Sequence, residues 1–290
     1  MRPRIGITLG DAAGIGPEVV HAALASDLLP ADVDYVVVDE HPDCSLGQPT
    51  AATARAAAAA LEDAVRRARA GEFQAVVTGP IHKARMYEIG FEFPGQTEFF
   101  AARCGVENFA MLLTGGRLTV ALVTGHVPLA NVSGLLKAAE IVRVGKLLAD
   151  FCRRRGVSEP RIGVAGFNPH AGESGALGRE EIEIIAPAVT QLKERTPGAI
   201  FAGPISPDIV FHHAAKGSWD GVLCMYHDQG LIPLKLHAFH EGVNVTLELP
   251  FPRTSPDHGT AFEIAGKGIA RPDSTIAAIN LAVELARVTS

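Results

Sequence analysis

Short apolar runs recur along the chain at 5–9, 35–38, 75–77, 118–123, 162–165 and 222–225. Each is too short for a helix and is bounded by polar or turn residues, so each reads as a buried strand. Between several of them the period changes. Residues 51–70 are alanine-rich with Arg and Glu interspersed, and 135–153 repeat apolar side chains at helical spacing, which predicts two helices covering a sheet. Leu61, Ala64 and Val65 continue the apolar face of the run 56–60, so that run is a packed helix rather than a low-complexity tract. Alternating strands and helices predict an α/β architecture. No internal repeat and no Gly/Ser/Pro-rich linker interrupts it, so if there are two lobes, ordinary short loops join them.

The length of 290 residues and 47% hydrophobic content suffice for one large domain or two joined α/β lobes, and argue against a small binding module. A net charge of −6, with Lys and Arg scattered or in short clusters such as Arg153-Arg154-Arg155, leaves no broad basic surface and argues against nucleic acid as a partner. Cys44, Cys104, Cys152 and Cys224 lie far apart without a Cys-x-x-Cys pair, which suggests neither a zinc knuckle nor a disulfide framework and fits a reducing cytoplasm. Met1-Arg2-Pro3 leads directly into a strand without a signal-peptide core, and no apolar run approaches a membrane span.

The first strand runs into Gly10-Asp11-Ala12-Ala13-Gly14-Ile15-Gly16-Pro17-Glu18, a tight turn followed by a helix start. Its glycine spacing departs from Gly-x-Gly-x-x-Gly, and Asp39 or Glu40 only loosely meets the acidic position expected after the second strand, so a Rossmann fingerprint is rejected. The turn serves either backbone geometry or a ligand. Asp11, at the carboxyl end of a strand, stands where open α/β sheets gather ligands.

Three histidines share one context, each following an apolar run and standing beside turn residues: His126 in Thr124-Gly125-His126-Val127-Pro128, His170 in Asn168-Pro169-His170-Ala171-Gly172-Glu173, and His227 in Met225-Tyr226-His227-Asp228-Gln229-Gly230. Strand ends converge in α/β folds, so the three imidazoles can meet at a divalent metal with a position left open for substrate. Taken singly, each is more often a hydrogen-bonded loop residue than a ligand, and the spacing matches no local metal motif. His21, His41, His212, His213, His237 and His240 lack this context and read as surface or helix residues. The C-terminal third carries Lys235, Asn244 and the segment Arg253-Thr254-Ser255-Pro256-Asp257-His258-Gly259-Thr260-Ala261. Cations, an amide and hydroxyls suit an anionic substrate or a dinucleotide phosphate; the alternative is a Pro-rich surface loop.

Together with Thr78-Gly79-Pro80-Ile81-His82-Lys83 and Gly95-Gln96-Thr97-Glu98, these ordered motifs resemble the 4-hydroxythreonine-4-phosphate dehydrogenase family of vitamin B6 biosynthesis and its relatives acting on four-carbon acid phosphates. The resemblance runs from Gly6 nearly to the C-terminus. It implies a two-lobed isocitrate/isopropylmalate dehydrogenase-like α/β fold with a cleft between the lobes, drawn here as 1–88 plus 263–290 and 89–262, the second lobe bearing metal and dimer contacts. It implies a homodimer with the active site at the interface. Residue by residue, it implies metal ligands at His126, His170 and His227 for Zn, Mg or Co, and substrate contacts at Gln96, Thr97, Lys235, Asn244 and Arg253. It implies proton-transfer roles among Lys235, Asp228 and Asp208, and a site for NAD or NADP at Asp257, His258, Gly259 and Thr260. The implied reaction is metal-assisted oxidation of a phosphorylated hydroxy acid to a 3-keto acid that decarboxylates.

The chain departs from the family where Gln96 replaces a substrate-contacting histidine, where Ala12 replaces Pro, where Glu248 stands at a usual Gly, and where the stretch between Asp39 and Ala51 is short by roughly forty residues. These departures keep D-threonate or D-erythronate 4-phosphate and a cis-dihydrodiol open as substrates. An inactive metal-stabilised binding protein is the alternative from another class, and a metal-dependent hydrolase or lyase without nicotinamide a third.

Overall fold

A computed structural model describes residues 2–38 and 42–289. Asp39, Glu40 and His41 lie outside the described residues. In chain order the elements are β1 (Arg4–Thr8), α1 (Gly16–Leu24), β2 (Asp34–Val38), α2 (Ala51–Arg69), β3 (Ala75–Thr78), α3 (Lys83–Glu88), α4 (Gln96–Cys104), β4 (Met111–Gly115), β5 (Leu118–Leu122) and α5 (Leu129–Leu135). They continue with α6 (Ala138–Arg154), β6 (Arg161–Ala165), α7 (Ala186–Arg195), β7 (Ile200–Ile205), α8 (Pro207–Ala215), β8 (Gly221–Cys224), α9 (His227–Ala238), β9 (Val243–Thr246), β10 (Arg253–Pro256) and α10 (Asp273–Thr289). The architecture is mixed α/β, as the alternation of periods predicts.

The chain forms two compact units, Met1–Phe109 with His240–Ser290, and Ala110–Phe239. In the first, the strands run β2-β1-β3-β10-β9, parallel except for the antiparallel pair β10 and β9. Helix α2 begins at a capping box in which Thr50 and Thr53 satisfy each other's backbone N–H groups. It buries Ala54, Ala57, Ala60, Leu61, Ala64, Val65 and Ala68 along one stripe. Small side chains let this helix lie close to the sheet, and Phe73, Phe99, Phe100 and Phe251 fill the space beside it. The contact of α4 with this cluster, and the extension of the sheet from β3 through β10 to β9, group 89–109 and 240–262 with the first unit. The sequence-based lobes place both segments with the second.

In the second unit the order is β4-β5-β8-β6-β7, antiparallel at β4–β5 and parallel elsewhere. Val120, Leu122, Val222 and Cys224 form its centre with Val210, Ala214, Leu231 and Leu234 from α8 and α9. No helix among the described residues is long and apolar enough to cross a membrane. The four cysteines are free.

Candidate active site

Strands β5, β8 and β6 lie side by side and parallel in the second unit, so their carboxyl ends open at one edge of its sheet. Just past β5 stands His126, and β8 leads directly into His227 at the start of α9. Their ring centroids are 5.1 Å apart. His227 Nδ1 lies 2.6 Å from Asp228 Oδ1, which holds the ring and leaves Nε2 for another partner. Two concave surfaces meet at His227 and Asp228: one is lined by His126, Leu129, Val132 and Tyr226, the other by Leu231, Ile232, Lys235, Leu236 and Phe239. His227, Leu231 and Lys235 recur at four-residue intervals, so they share one face of α9.

The third histidine is built differently. His170, Ala171, Gly172, Glu173 and Ser174 have φ of 51°, 52°, 80°, 43° and 57°, a left-handed turn. Four of these residues carry a Cβ, and such a backbone costs roughly 1–2 kcal/mol for each. His170 is exposed on this turn, near Asp208, whose carboxyl is held below its ordinary range first by the Ser206 hydroxyl and also by His170. Among the described residues no three His, Cys, Asp or Glu side chains are grouped so as to hold a metal ion. One chain therefore brings together two of the three expected ligands, because adjacent strand ends set His126 against His227 while the left-handed turn carries His170 separately.

Of the predicted substrate residues, Gln96, Thr97, Asn244 and Arg253 fall in the first unit and Lys235 in the second; Arg253 is 2% exposed. Arg253 sits on β10 opposite Val76 of β3 and Thr246 of β9. Its Nη1 donates to Thr246 Oγ1 at 3.3 Å, and its Nη2 donates to Thr78 Oγ1 and, at 2.9 Å, to Gln96 Oε1. The Gln96 amide in turn donates to the Gly79 carbonyl at 2.9 Å. Thr97 Oγ1 lies 3.2 Å from Thr246 Oγ1. Burial pushes the guanidinium down to about 9, with Glu98 acting in the opposite sense. Asn244 Oδ1, Glu98 Oε2 and Arg253 Nε are buried without a hydrogen-bond partner. A buried cation whose acceptors are all neutral, beside unpaired polar atoms, is suited to an incoming anion.

The segment Asp257 to Thr260 follows β10. Thr260 lends its carbonyl to the Ile15 N–H at 2.9 Å, so the Gly-rich turn after β1 is its seat. At Gly14 a Cβ would fall 2.6 Å from that carbonyl, which explains glycine there. Gly259 is exposed, with open space where a Cβ would fall. The turn at 10–18 is thus fixed by backbone geometry against Thr260, and its spacing carries no fingerprint.

Thr78 and Thr246 hold Arg253 yet sit in strands whose sequence reads only as β-forming. The motif containing Thr78 was visible, whereas Thr246 carries no local signal. Thr124, Glu181 and Gln229, which tie the histidine-bearing loops together, were likewise not singled out.

A model of the family described as pyridoxal phosphate biosynthetic protein PdxA matches residues 16–282. A 4-hydroxythreonine-4-phosphate dehydrogenase of Desulforapulum autotrophicum is 42% identical over 331 aligned positions, covering 99% of this chain and 97% of that protein. The crystal structure of a 4-hydroxythreonine-4-phosphate dehydrogenase from Klebsiella pneumoniae superposes with a TM-score of 0.81 at 36% identity, covering 98% of this chain and 99% of the other. A β-decarboxylating dehydrogenase from Thermococcus kodakarensis, at 17% identity and a TM-score of 0.56, covers 97% of this chain and 81% of that one, and shares the fold.

Proposed function

The chain belongs to the PdxA family of pyridoxal phosphate biosynthetic proteins, and from that premise we propose that it is a nicotinamide-dependent dehydrogenase of 4-hydroxythreonine 4-phosphate. The observation that carries this reading into its own residues is the buried Arg253, with Asn244 beside it, awaiting an anionic and hydrogen-bonding ligand. Arg253 would take the phosphate, with Thr97 and Gln96 fixing its surroundings.

The reaction removes a hydride from the hydroxyl carbon to the nicotinamide and a proton from the oxygen. NAD or NADP would lie along Asp257, His258, Gly259 and Thr260. Asp228 is engaged with His227, so its role is to orient that ring, and Lys235 is the better placed of the two to hold the departing proton. Asp208, bonded by Ser206 and near His170, plays the corresponding orienting part at the third histidine. The resulting 3-keto acid loses CO₂ because its carbonyl accepts the electron pair of the breaking bond. The ammonium of Lys235 can stabilise that charge.

We read His126, His170 and His227 as ligands of a divalent ion such as Zn, Mg or Co. The donor chemistry fits: two imidazoles stand 5.1 Å apart, and one is oriented by a carboxylate, as metal-bound histidines commonly are. Such an ion supplies Lewis-acid polarisation of the substrate hydroxyl. His170 would complete the set from a second copy of the chain in a homodimer. The exposed apolar row of Ile232 and Leu236 on α9 and Phe239 at its C-terminal cap, next to Lys235, supports an interface there. Four free thiols and a nicotinamide cofactor fit a cytoplasmic enzyme.

The test is kcat/KM across 4-hydroxythreonine 4-phosphate, D-threonate 4-phosphate, D-erythronate 4-phosphate and a cis-dihydrodiol, with either nicotinamide cofactor. The proposal expects the first to be preferred. Preference for the dihydrodiol, which carries no phosphate for Arg253, would overturn it; ion binding without turnover of any member would indicate a binding protein.

A further inference from the structure

The left-handed turn that carries His170 persists only if its surroundings hold it. Glu181, 3% exposed, opens a π-helical turn at Glu181–Ile185 and reaches back beneath the His170 turn. Its Oε1 accepts the backbone N–H groups of Phe167 and Asn168, both at 2.7 Å, and its Oε2 accepts Asn168 Nδ2 at 2.9 Å. Asn168 Nδ2 also donates to Glu180 Oε2 at 2.7 Å, and Glu180 Oε1 accepts the Ser133 hydroxyl at 2.8 Å. Gly172 is where the turn closes over the carboxylate: a Cβ there would lie 2.7 Å from Glu181 Oε2.

A second buried side chain ties this turn to its neighbours. Gln229 lies two residues beyond His227. Its Oε1 accepts the Met225 N–H at 2.7 Å, and its Nε2 donates to the Gly166 carbonyl at 2.6 Å, one residue before Phe167. The Met225 carbonyl accepts the Thr124 hydroxyl at 2.7 Å. Phe167 and Tyr226 meet edge to face at 6.1 Å. One buried series of hydrogen bonds thus runs from the loop before His126, through the segment before His227, to the base of the His170 turn.

We propose that Glu181 and Gln229 are positioning residues for divalent-ion binding, Glu181 by holding the left-handed turn that carries His170 and Gln229 by fixing the base of that turn and the segment leading to His227 in one frame, which sets how each copy of the chain presents His170 to the His126 and His227 of the other. This rests on the reading of the three histidines as ion ligands. Glu181 has both oxygens occupied by N–H donors, so an amide in its place sets a donor against a donor. Gln229 spends one oxygen and one nitrogen on two different loops, and no apolar side chain replaces both bonds.

The experiment is titration of the full-length protein with Co²⁺ alone, following affinity and the visible ligand-field spectrum, for wild type, Glu181→Gln, Gln229→Leu and His170→Ala, each checked for fold by circular dichroism. Loss of Co²⁺ in His170→Ala, with affinity weakened about ten-fold or more and an altered spectrum in the other two, is expected. If either of those two does not fold, Asn168→Ala, which removes the amide bonded to Glu181 Oε2, carries the same expectation. Folded Glu181 and Gln229 variants that bind Co²⁺ as wild type does, with an unchanged spectrum, while His170→Ala loses it, would overturn the positioning role and leave the ligand reading intact. Unchanged binding by His170→Ala would overturn the ligand reading itself.

Discussion

The Arg253 guanidinium donates to Gln96 Oε1 at 2.9 Å, while the same amide donates through Nε2 to the Gly79 carbonyl at 2.9 Å. Gln96 is therefore engaged at both ends in holding a buried cation. Hydrogen bonds to charged groups contribute about 1.5–3 kcal/mol. Gln96→Ala is expected to raise KM for the phosphorylated substrate about ten-fold or more with a smaller change in kcat; steady-state kinetics giving an unchanged KM would show that the anchor is dispensable.

Burial lowers Arg253 to about 9 from 12.5. The guanidinium stays charged through the neutral range and can bind an anion there, which relieves part of the cost of its burial. Binding of sulfate, which does not titrate in this range, is expected to stay level from about pH 7 to 8. Calorimetric titration checks this, with Arg253→Met as a control that binds no sulfate at any pH.

Glu248 adopts φ of 64°, and it stands where the resemblance expects glycine. Left-handed backbone costs a residue with a Cβ about 1–2 kcal/mol, against about 0.5–1 kcal/mol of extra chain entropy for glycine. Glu248→Gly is expected to stabilise by roughly 0.5–1 kcal/mol, an increase in Tm of about 2 °C for a chain of this size. A lower Tm in differential scanning calorimetry would mean that the Glu248 side chain makes a compensating interaction.

Leu236, on the helix that begins with His227, is 89% exposed, and Phe239, which caps that helix, is 69% exposed. If this face joins two copies, Leu236→Glu with Phe239→Glu yields a monomer by light scattering and loses Co²⁺ binding along with dimerisation. Wild-type protein that is monomeric and fully active would contradict the shared site.

Much of the fold was legible because buried strands and a packed alanine-rich helix leave periodic marks. Strands β1, β2, β3, β5, β6 and β8 fall on the apolar runs. Strand β10 was not legible, since Arg253-Thr254-Ser255-Pro256 reads as a polar loop, and only pairing with β3 and β9 makes it a strand. Strand β4 ends in Gly115 and is one arm of a hairpin that turns at Gly116, and β7 carries Gly203-Pro204, so local composition argued against both. The histidines were visible as a shared context. Their positions depend on a left-handed turn and on buried Glu181 and Gln229, features set by tertiary hydrogen bonds rather than by spacing. The amide at Gln96 was legible as a departure, but its bonds to Gly79 and Arg253 were not.

The most direct measurement of the central claim is reduction of NAD⁺ or NADP⁺, followed by the absorbance of the reduced cofactor, with 4-hydroxythreonine 4-phosphate and a divalent ion, for wild type and His227→Ala. Wild type should reduce the cofactor with release of CO₂, and His227→Ala should lose turnover while remaining folded. No reduced cofactor from metal-loaded, folded wild type, with either nicotinamide, would contradict the account.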